Sequence, residues 1–189
     1  VIFNVDRGRV PLLPVMAQPA FYFFGPSSDA AVISLNFAWF ILAWAIPGIT
    51  RELAGPKVGD KAGFFAFVLF GLYPITTLLS HNFLVEFLLA TFISAAIYSL
   101  WLLHKTGEKK WSFISGIFIS MGLLTKVTFP AFVLPAFLIF IYLHIRKSSV
   151  LKTLVLFLPA IFLVILIAGT YYIYNFFQIF AMTIGLSSQ

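Results

Sequence analysis

The sequence predicts an all-α fold, a polytopic bundle of about six membrane-spanning helices preceded by an interfacial segment. Of its 189 residues, 61% are apolar, 24 are phenylalanine and only 10% are charged, whereas the apolar share of soluble domains is about 45–50%. The apolar residues form long runs of the length that crosses a bilayer. Nine of the twelve Lys and Arg lie in three short segments between these runs, the distribution that the positive-inside rule predicts for cytoplasmic loops.

Residues 1–29 are predicted to form an outer-side loop with an interfacial element. Pro11, Pro14 and Pro19 disfavour a long spanning helix, and the aromatic residues at 21–24 suit the headgroup level of a membrane. No signal-peptide pattern stands at the start of the sequence. We therefore expect the sequence to be a fragment of a longer protein.

The transmembrane helical domain is predicted over residues 30–175, and residues 176–189 are predicted to be a truncated outer-side tail. The first span is expected to close at Pro47-Gly48, and Pro74 is expected to kink the second. The predicted spans lie at about 30–50, 62–79, 82–103, 112–129, 131–145 and 153–174.

The basic segments Arg51–Lys61, Lys105–Lys110 and Arg146–Lys152 set the predicted topology. With these segments in the cytoplasm, the breaks at 80–82 and 129–135 face outside, as do the N-terminal segment and the tail. The chain is thus expected to be a multi-pass integral membrane protein with membrane lipid as a partner. A nucleic-acid partner is excluded, because the positive charges do not form one contiguous basic face.

Glu86 and Lys126 are the acid and the base within the predicted spans. Glu86 lies four residues after Asn82, or about 6 Å along a helix axis, and Lys126 lies four residues before Pro130. Both are therefore predicted one turn below the outer surface. A charge in lipid costs about 2.5–3.5 kcal/mol on insertion scales, so it is usually paired or functional.

This pair has three interpretations. It is an ion pair that only joins two helices, a polar pocket open to the outside, or a proton-coupling site in a transporter. In the second interpretation Lys126 attracts a phosphate and Glu86 orients a hydroxyl or a cation. His81, Asn82 and Arg7 are further candidates for binding the substrate or a lipid phosphate, although each also suits a solvated or headgroup-level position.

The sequence contains no motif that indicates another common kind of binding or catalytic site. The sequence has no cysteine, which excludes disulfides and thiolate metal sites. It contains no dinucleotide-binding glycine motif, phosphate-binding loop, zinc-protease motif or nucleophile elbow. One carboxylate is too little to define a metal site, so we predict no metal ligand, and a divalent cation is left open as a cofactor.

Ser112, Gly116 and Ser120 are spaced four apart in the fourth predicted span. This spacing sets small residues on one helix face, which predicts close packing against another helix.

Several segments together resemble the GT-C glycosyltransferases. Gly122-Leu123-Leu124-Thr125-Lys126 resembles the "GLLTK" segment of the branch that holds the dolichyl-phosphate-mannose-protein mannosyltransferases (glycosyltransferase family 39) and the aminoarabinose transferases of lipid A. Residues 83–88 resemble a family segment in which an acid opens a span after a short outer loop. Residues 51–63 resemble the cytoplasmic loop, and residues 19–27 loosely resemble a "PPL…FG.S" stretch. The resemblance covers roughly residues 10–145.

The resemblance implies an inverting transfer of a hexose or pentose from a polyprenyl-phosphate-linked donor. The acceptor would be a protein, lipid or glycan on the outer or luminal side of the membrane, and a bacterial or archaeal plasma membrane is expected. Lys126 matches the family lysine near the lipid phosphate. Glu86 matches a second acidic position, where Asp is commoner, and is therefore a supporting acid.

The chain departs from the family pattern at one place. The family's catalytic base lies in a first outer loop after a first helix, and neither that helix nor a matching acidic pair is present, so the catalytic base is unknown.

Two rival functions are a secondary transporter or flippase, which predicts a repeat of the spans, and a non-catalytic membrane assembly subunit.

Overall fold

The computed structural model describes residues 12–82 and 85–176, which form helices joined by short turns and contain no β-strand. The all-α fold is thus confirmed. A five-residue π-helical segment, Ile165–Gly169, joins the last two α-helices. The α-helices in chain order are α1 (Leu12–Phe24), α2 (Ser28–Ile33), α3 (Asn36–Ala54), α4 (Gly59–Leu72), α5 (Pro74–His81), α6 (Val85–Thr106), α7 (Lys109–Leu123), α8 (Phe129–Lys147), α9 (Val150–Val164) and α10 (Thr170–Tyr174).

Four helical stretches in these residues are long and apolar enough to cross a membrane, namely Ser28–Ala54, Val85–Thr106, Phe129–Lys147 and Val150–Tyr174. A fifth span is possible if α4 and α5 cross together. The sequence suggested about six, and the difference lies at α7. This helix has 15 residues, about 22 Å of axis, because the chain turns after Leu123.

Pro47 and Pro74 affect the path of the helical chain in different ways. Helix α3 continues past Pro47 to Ala54, although the proline was expected to close it. Neighbouring helices support the chain on both sides of this residue, because Gly63 of α4 lies against Pro47 and Tyr98 of α6 lies against Gly48. At Pro74 the chain does bend, and α4 and α5 meet at 62°.

Helix α6 lies at the centre of the bundle and packs against α3, α7 and α8. Its first half joins a core cluster with α3 and the start of α8, and its second half joins a smaller cluster with α9. Burial of large side chains in both halves fixes the position of each end of α6. The fully buried large residues of these clusters include Phe87, Leu88, Leu100, Leu103, Phe129 and Phe157.

The small face predicted on α7 is confirmed. A Cβ atom on Gly116 would lie 2.8 Å from the Ala160 Cα, so the two backbones touch. The Ser112 hydroxyl accepts a hydrogen bond of 3.1 Å from the Ala160 amide, and the Ser120 hydroxyl lies 3.3 Å from the Leu163 carbonyl. Such close approach is how helices associate in lipid, where no hydrophobic force drives them together.

The basic segments meet at one end of the bundle. Lys105 at the end of α6 donates hydrogen bonds of 2.8 and 2.9 Å to both carboxylate oxygens of Glu52 at the end of α3. Lys109 and Lys152 line one cleft at the same end. Along α6, Glu86 lies nineteen residues before Lys105, or about 28 Å. Glu86 and the basic end are thus separated by about the thickness of a bilayer's hydrocarbon core.

Candidate functional site

Glu86 and Lys126 form an ion pair at the end of the bundle away from the basic segments. The Lys126 Nζ atom donates a hydrogen bond of 2.9 Å to the Glu86 Oε1 atom. The prediction that both residues lie at one level is therefore confirmed. The side chains retain 38% (Lys126) and 45% (Glu86) of their accessible surface, so the pair lies at the surface of the chain rather than sealed within it.

The local backbone structure fixes the positions of Glu86 and Lys126. Glu86 is in the first turn of α6, where the partial positive charge of the helix N-terminus stabilises a carboxylate. Lys126 is in the turn between α7 and α8, and its amide bonds the Gly122 carbonyl at 3.3 Å while its carbonyl accepts from the Phe129 amide at 3.0 Å. The lysine is thus held by a short, hydrogen-bonded turn.

The turn is anchored to two distant segments. The Leu12 amide at the start of α1 donates to the Leu124 carbonyl at 3.0 Å, and the Tyr172 hydroxyl of α10 donates to the Leu123 carbonyl at 2.8 Å. These carbonyls belong to the C-terminal end of α7, where the helix itself provides no partner. Sequence reasoning missed both contacts, because nothing in a hydropathy pattern pairs residues so far apart.

Gly122 gives the turn its shape. The Phe129 ring lies directly over it, so a Cβ atom at position 122 would be 2.0 Å from that ring. Phe129 is only 1% exposed and packs in the core cluster with Phe87 and Val133. The glycine therefore lets α8 begin close to the end of α7, with Lys126 between them.

An apolar cavity of about 220 Å³ lies beside the turn, between α7, α8 and α9. Leu123 and Phe129, each three residues from Lys126, form part of its wall, and Ile165 of the π-helical segment forms another part. The described lining contains only apolar residues. π-Helical segments are rare and are often found at functional sites.

The other candidate residues do not join the pair. The His81 Nδ1 atom lies 2.8 Å from the Thr77 carbonyl, and because a carbonyl can only accept, this nitrogen carries the hydrogen. The Asn82 side-chain amide donates to the Leu78 carbonyl at 2.6 Å. Both side chains thus bond within α5, and no hydrogen bond among the described residues links them to Glu86 or Lys126. Arg7 lies outside the described residues.

No group of three or more His, Asp or Glu side chains in residues 12–82 and 85–176 is close enough to hold a metal ion.

Comparison with known proteins now adds to this geometry. The family model of the dolichyl-phosphate-mannose-protein mannosyltransferases matches residues 9–174. The chain belongs to this family. The match includes the GLLTK segment, the Glu86 segment and every described helix. No curated protein and no solved structure gives a significant match.

Membership in the mannosyltransferase family establishes the class of the protein. It is an integral membrane protein of the GT-C glycosyltransferase type. The resemblance noted in the sequence is confirmed, and it extends beyond residue 145 through α9 and α10.

Proposed function

We propose that the protein transfers a sugar from a polyprenyl-phosphate donor to an acceptor on the outer side of the membrane, with Glu86 and Lys126 in its polar centre. The observation that carries this proposal is a charged pair, joined at 2.9 Å, whose lysine lies in the turn between Leu123 and Phe129, two residues that line an apolar cavity. A lipid-linked sugar needs both features, because its phosphate is anionic and its chain is a hydrocarbon.

Lys126 is the proposed ligand of the donor phosphate. An ammonium group has three N–H donors, and a single one is given to Glu86 in the contacts described. The other two remain for phosphate oxygens. A cation in this position also stabilises the negative charge that develops on the phosphate as the sugar departs. Arg7, whose side chain lies outside the described residues, stays a predicted second phosphate ligand.

Glu86 is the proposed supporting acid. In the resting site it orients Lys126, and when the phosphate binds to the lysine the carboxylate becomes available to the acceptor hydroxyl. His81 and Asn82 remain predicted contacts for the polar part of a substrate, since they end the helix that precedes Glu86. The catalytic base is not assigned to any of these residues.

The orientation of the site follows from the charges. The bundle end that holds Lys105, Lys109 and Lys152 is the proposed cytoplasmic end. Glu86 lies about 28 Å away along α6, at the opposite surface of a bilayer. The active site is therefore proposed to face the outside of a bacterial or archaeal plasma membrane, where the acceptor glycan, lipid or protein is found.

The decisive test of the pair is Glu86→Gln in the full-length protein. Glutamine can still accept the Lys126 hydrogen bond through its amide oxygen, so the contact is kept while the negative charge is lost. We expect kcat for sugar transfer to fall by about 100-fold or more, the typical contribution of a positioned acid or base. Initial rates with a labelled polyprenyl-phosphate sugar, in protein reconstituted into liposomes, measure the effect.

Glu52→Gln is the matched control, because Glu52 forms the corresponding ion pair with Lys105 at the other end of the bundle. This variant should transfer sugar at close to the wild-type rate. If Glu86→Gln lowers only the melting temperature and leaves kcat unchanged, the pair merely joins two helices and the proposed site is wrong. Substrate uptake without transferase activity would instead support a transporter.

A second test addresses the apolar cavity. Leu134 lines it and is 52% exposed on α8, so Leu134→Trp should narrow the cavity without disturbing the core. We expect KM for a long-chain donor to rise several-fold while kcat is unchanged. The contacts with the chain stabilise the bound donor and the transition state equally, so their loss raises KM alone. Leu138→Trp, one turn further along α8 and outside the cavity lining, is the control and should leave KM unchanged. Equal effects of the two variants would contradict binding of the chain in this cavity.

A further inference from the structure

A second polar site lies at the basic end of the bundle. There an open cleft of about 410 Å³ is formed where α7 and α9 begin and α8 ends. Its polar lining combines two lysines with a histidine and a serine, and one wall is aliphatic. The residues that the argument uses are Lys109, His144, Lys152, Leu151 and Val155.

The positive charge of the cleft is not neutralised by the described parts of the chain. Glu52 pairs with Lys105, and Glu108 pairs with Lys110. Lys109 and Lys152 form no ion pair with any acid in the described parts of the chain. Both side chains are exposed, and the N-terminal ends of α7 and α9 add partial positive charge. The cleft therefore favours an anion.

His144 forms the least accessible polar part of the lining. The residue is only 8% exposed, and its Nδ1 atom is buried without a hydrogen-bond partner in the described structure. Buried polar atoms are nearly always hydrogen-bonded, so an exception needs an explanation. Here the atom has almost no accessible surface, and the Nδ1 atom of the neighbouring His104 is likewise buried without a described partner. The cleft is therefore bounded on this side by a buried imidazole, and its anion-binding groups are the two lysines.

The apolar wall identifies the kind of anion. Leu151 is 71% exposed and Val155 is 47% exposed, one turn apart on α9. A free phosphate ion gains nothing from these side chains, whereas the acyl chains of a phospholipid cover them. A phosphate with hydrocarbon attached thus fits the basic and apolar parts of the cleft together.

We propose that this cleft binds the phosphate of an anionic phospholipid from the cytoplasmic leaflet. Lys109 and Lys152 hold the phosphate, and Leu151 and Val155 contact the acyl chains. The lysines at the starts of α7 and α9 are attracted to the negative surface of this leaflet. The bound lipid bridges the starts of both helices, which meet deeper in the bundle at Gly116 and Ala160.

The test titrates phosphatidylglycerol into the purified full-length protein in detergent and counts bound lipids by native mass spectrometry. Phosphatidylcholine and inorganic phosphate are the two comparison ligands. The test variant is Lys109→Gln/Lys152→Gln. Lys57→Gln/Lys61→Gln is the matched control, since these exposed lysines lie near the start of α4 and likewise form no described ion pair. Each lysine near an anionic surface contributes about fivefold in affinity, so we expect binding about 30-fold weaker in the test variant.

Wild type and the control variant should bind phosphatidylglycerol equally and more tightly than phosphatidylcholine. Leu151→Glu, which sets a carboxylate at an exposed position of the cleft, should weaken binding independently of the lysines. Lys109→Arg/Lys152→Arg should keep it, which separates lost charge from a folding defect. Equal affinity for phosphatidylcholine, equal losses in both lysine double variants, or an equal effect of inorganic phosphate alone would overturn the proposal.

Discussion

Lys126→Met is expected to lower kcat/KM for the lipid-linked donor by about 100- to 1,000-fold, the usual loss when a group that stabilises developing negative charge is removed. Methionine keeps most of the volume of the lysine stem and removes only the ammonium group. The turn from Gly122 to Phe129 is held by backbone hydrogen bonds and by Leu12 and Tyr172, so its conformation should survive the change.

The measurement is sugar transfer from a polyprenyl-phosphate donor by the full-length protein in liposomes, with insertion checked by protease accessibility of the loops. Lys105→Met is the control, because Lys105 forms an ion pair of the same type at the other end of α6. It should retain nearly full activity. Lys126→Arg keeps the positive charge and should recover part of the rate. If Lys126→Met and Lys105→Met have the same activity, Lys126 does not bind the phosphate.

A double-mutant cycle separates the two roles proposed for the pair. If Glu86 and Lys126 act as one unit, the variant that carries both Glu86→Gln and Lys126→Met should be barely slower than Lys126→Met alone. Groups that act together give strongly non-additive losses. Multiplicative losses would instead indicate that Glu86 and Lys126 serve different steps.

Sequence reasoning singled out Glu86 and Lys126 because charges are rare in this chain. Glu86 and Lys126 are the acid and the base within the predicted spans, and the basic segments distinguish one end of the bundle from the other. Two residues at the same depth on helices that are close in sequence have few alternative partners. Electrostatics in a low-dielectric environment makes their pairing strongly favourable. Position along the spans was sufficient to predict that Glu86 and Lys126 lie at one level, and the ion pair was one of three interpretations.

The packing around the pair could not be predicted in the same way. Hydropathy treats residues 112–129 as one span, since the turn after Leu123 is only five residues long and apolar residues flank it on both sides. The turn depends on Phe129 fitting over Gly122 and on the bond from Tyr172, which are contacts in three dimensions. The Tyr172 hydroxyl bonds the Leu123 carbonyl of α7, a contact that no hydropathy pattern predicts. The apolar cavity results from these same contacts.

Gly122→Ala is expected to destabilise the protein strongly and to impair the site at the same time. The added methyl group would lie 2.0 Å from the Phe129 ring. A long, exposed side chain would simply move away, but Phe129 is 1% exposed and packed among Phe87 and Val133. Overpacking of this kind costs about 1–3 kcal/mol. We therefore expect a clear decrease in melting temperature in detergent.

Gly71→Ala is the matched control, because Gly71 is also within a helix and the nearest atom to its added Cβ would be Trp39 at 3.9 Å. That contact is unstrained, and alanine has a higher helix propensity than glycine. Gly71→Ala should therefore leave the melting temperature unchanged or raise it slightly. A similar decrease in both variants would show that the position over Phe129 has no special role.

The direction in which Phe129 moves decides the effect of Gly122→Ala on activity. Its ring lies over Gly122 and also forms part of the wall of the apolar cavity, so we expect displacement by the new methyl group to push the ring into the space proposed for the donor chain. KM for a long-chain donor should then rise more than KM for a donor with a shortened chain.

Phe129→Leu combined with Gly122→Ala removes the ring and should restore part of the melting temperature, because residues in contact have non-additive effects. If Phe129→Leu does not restore the melting temperature, the effect of Gly122→Ala arises from the backbone conformation of the turn and not from a steric clash with the Phe129 ring.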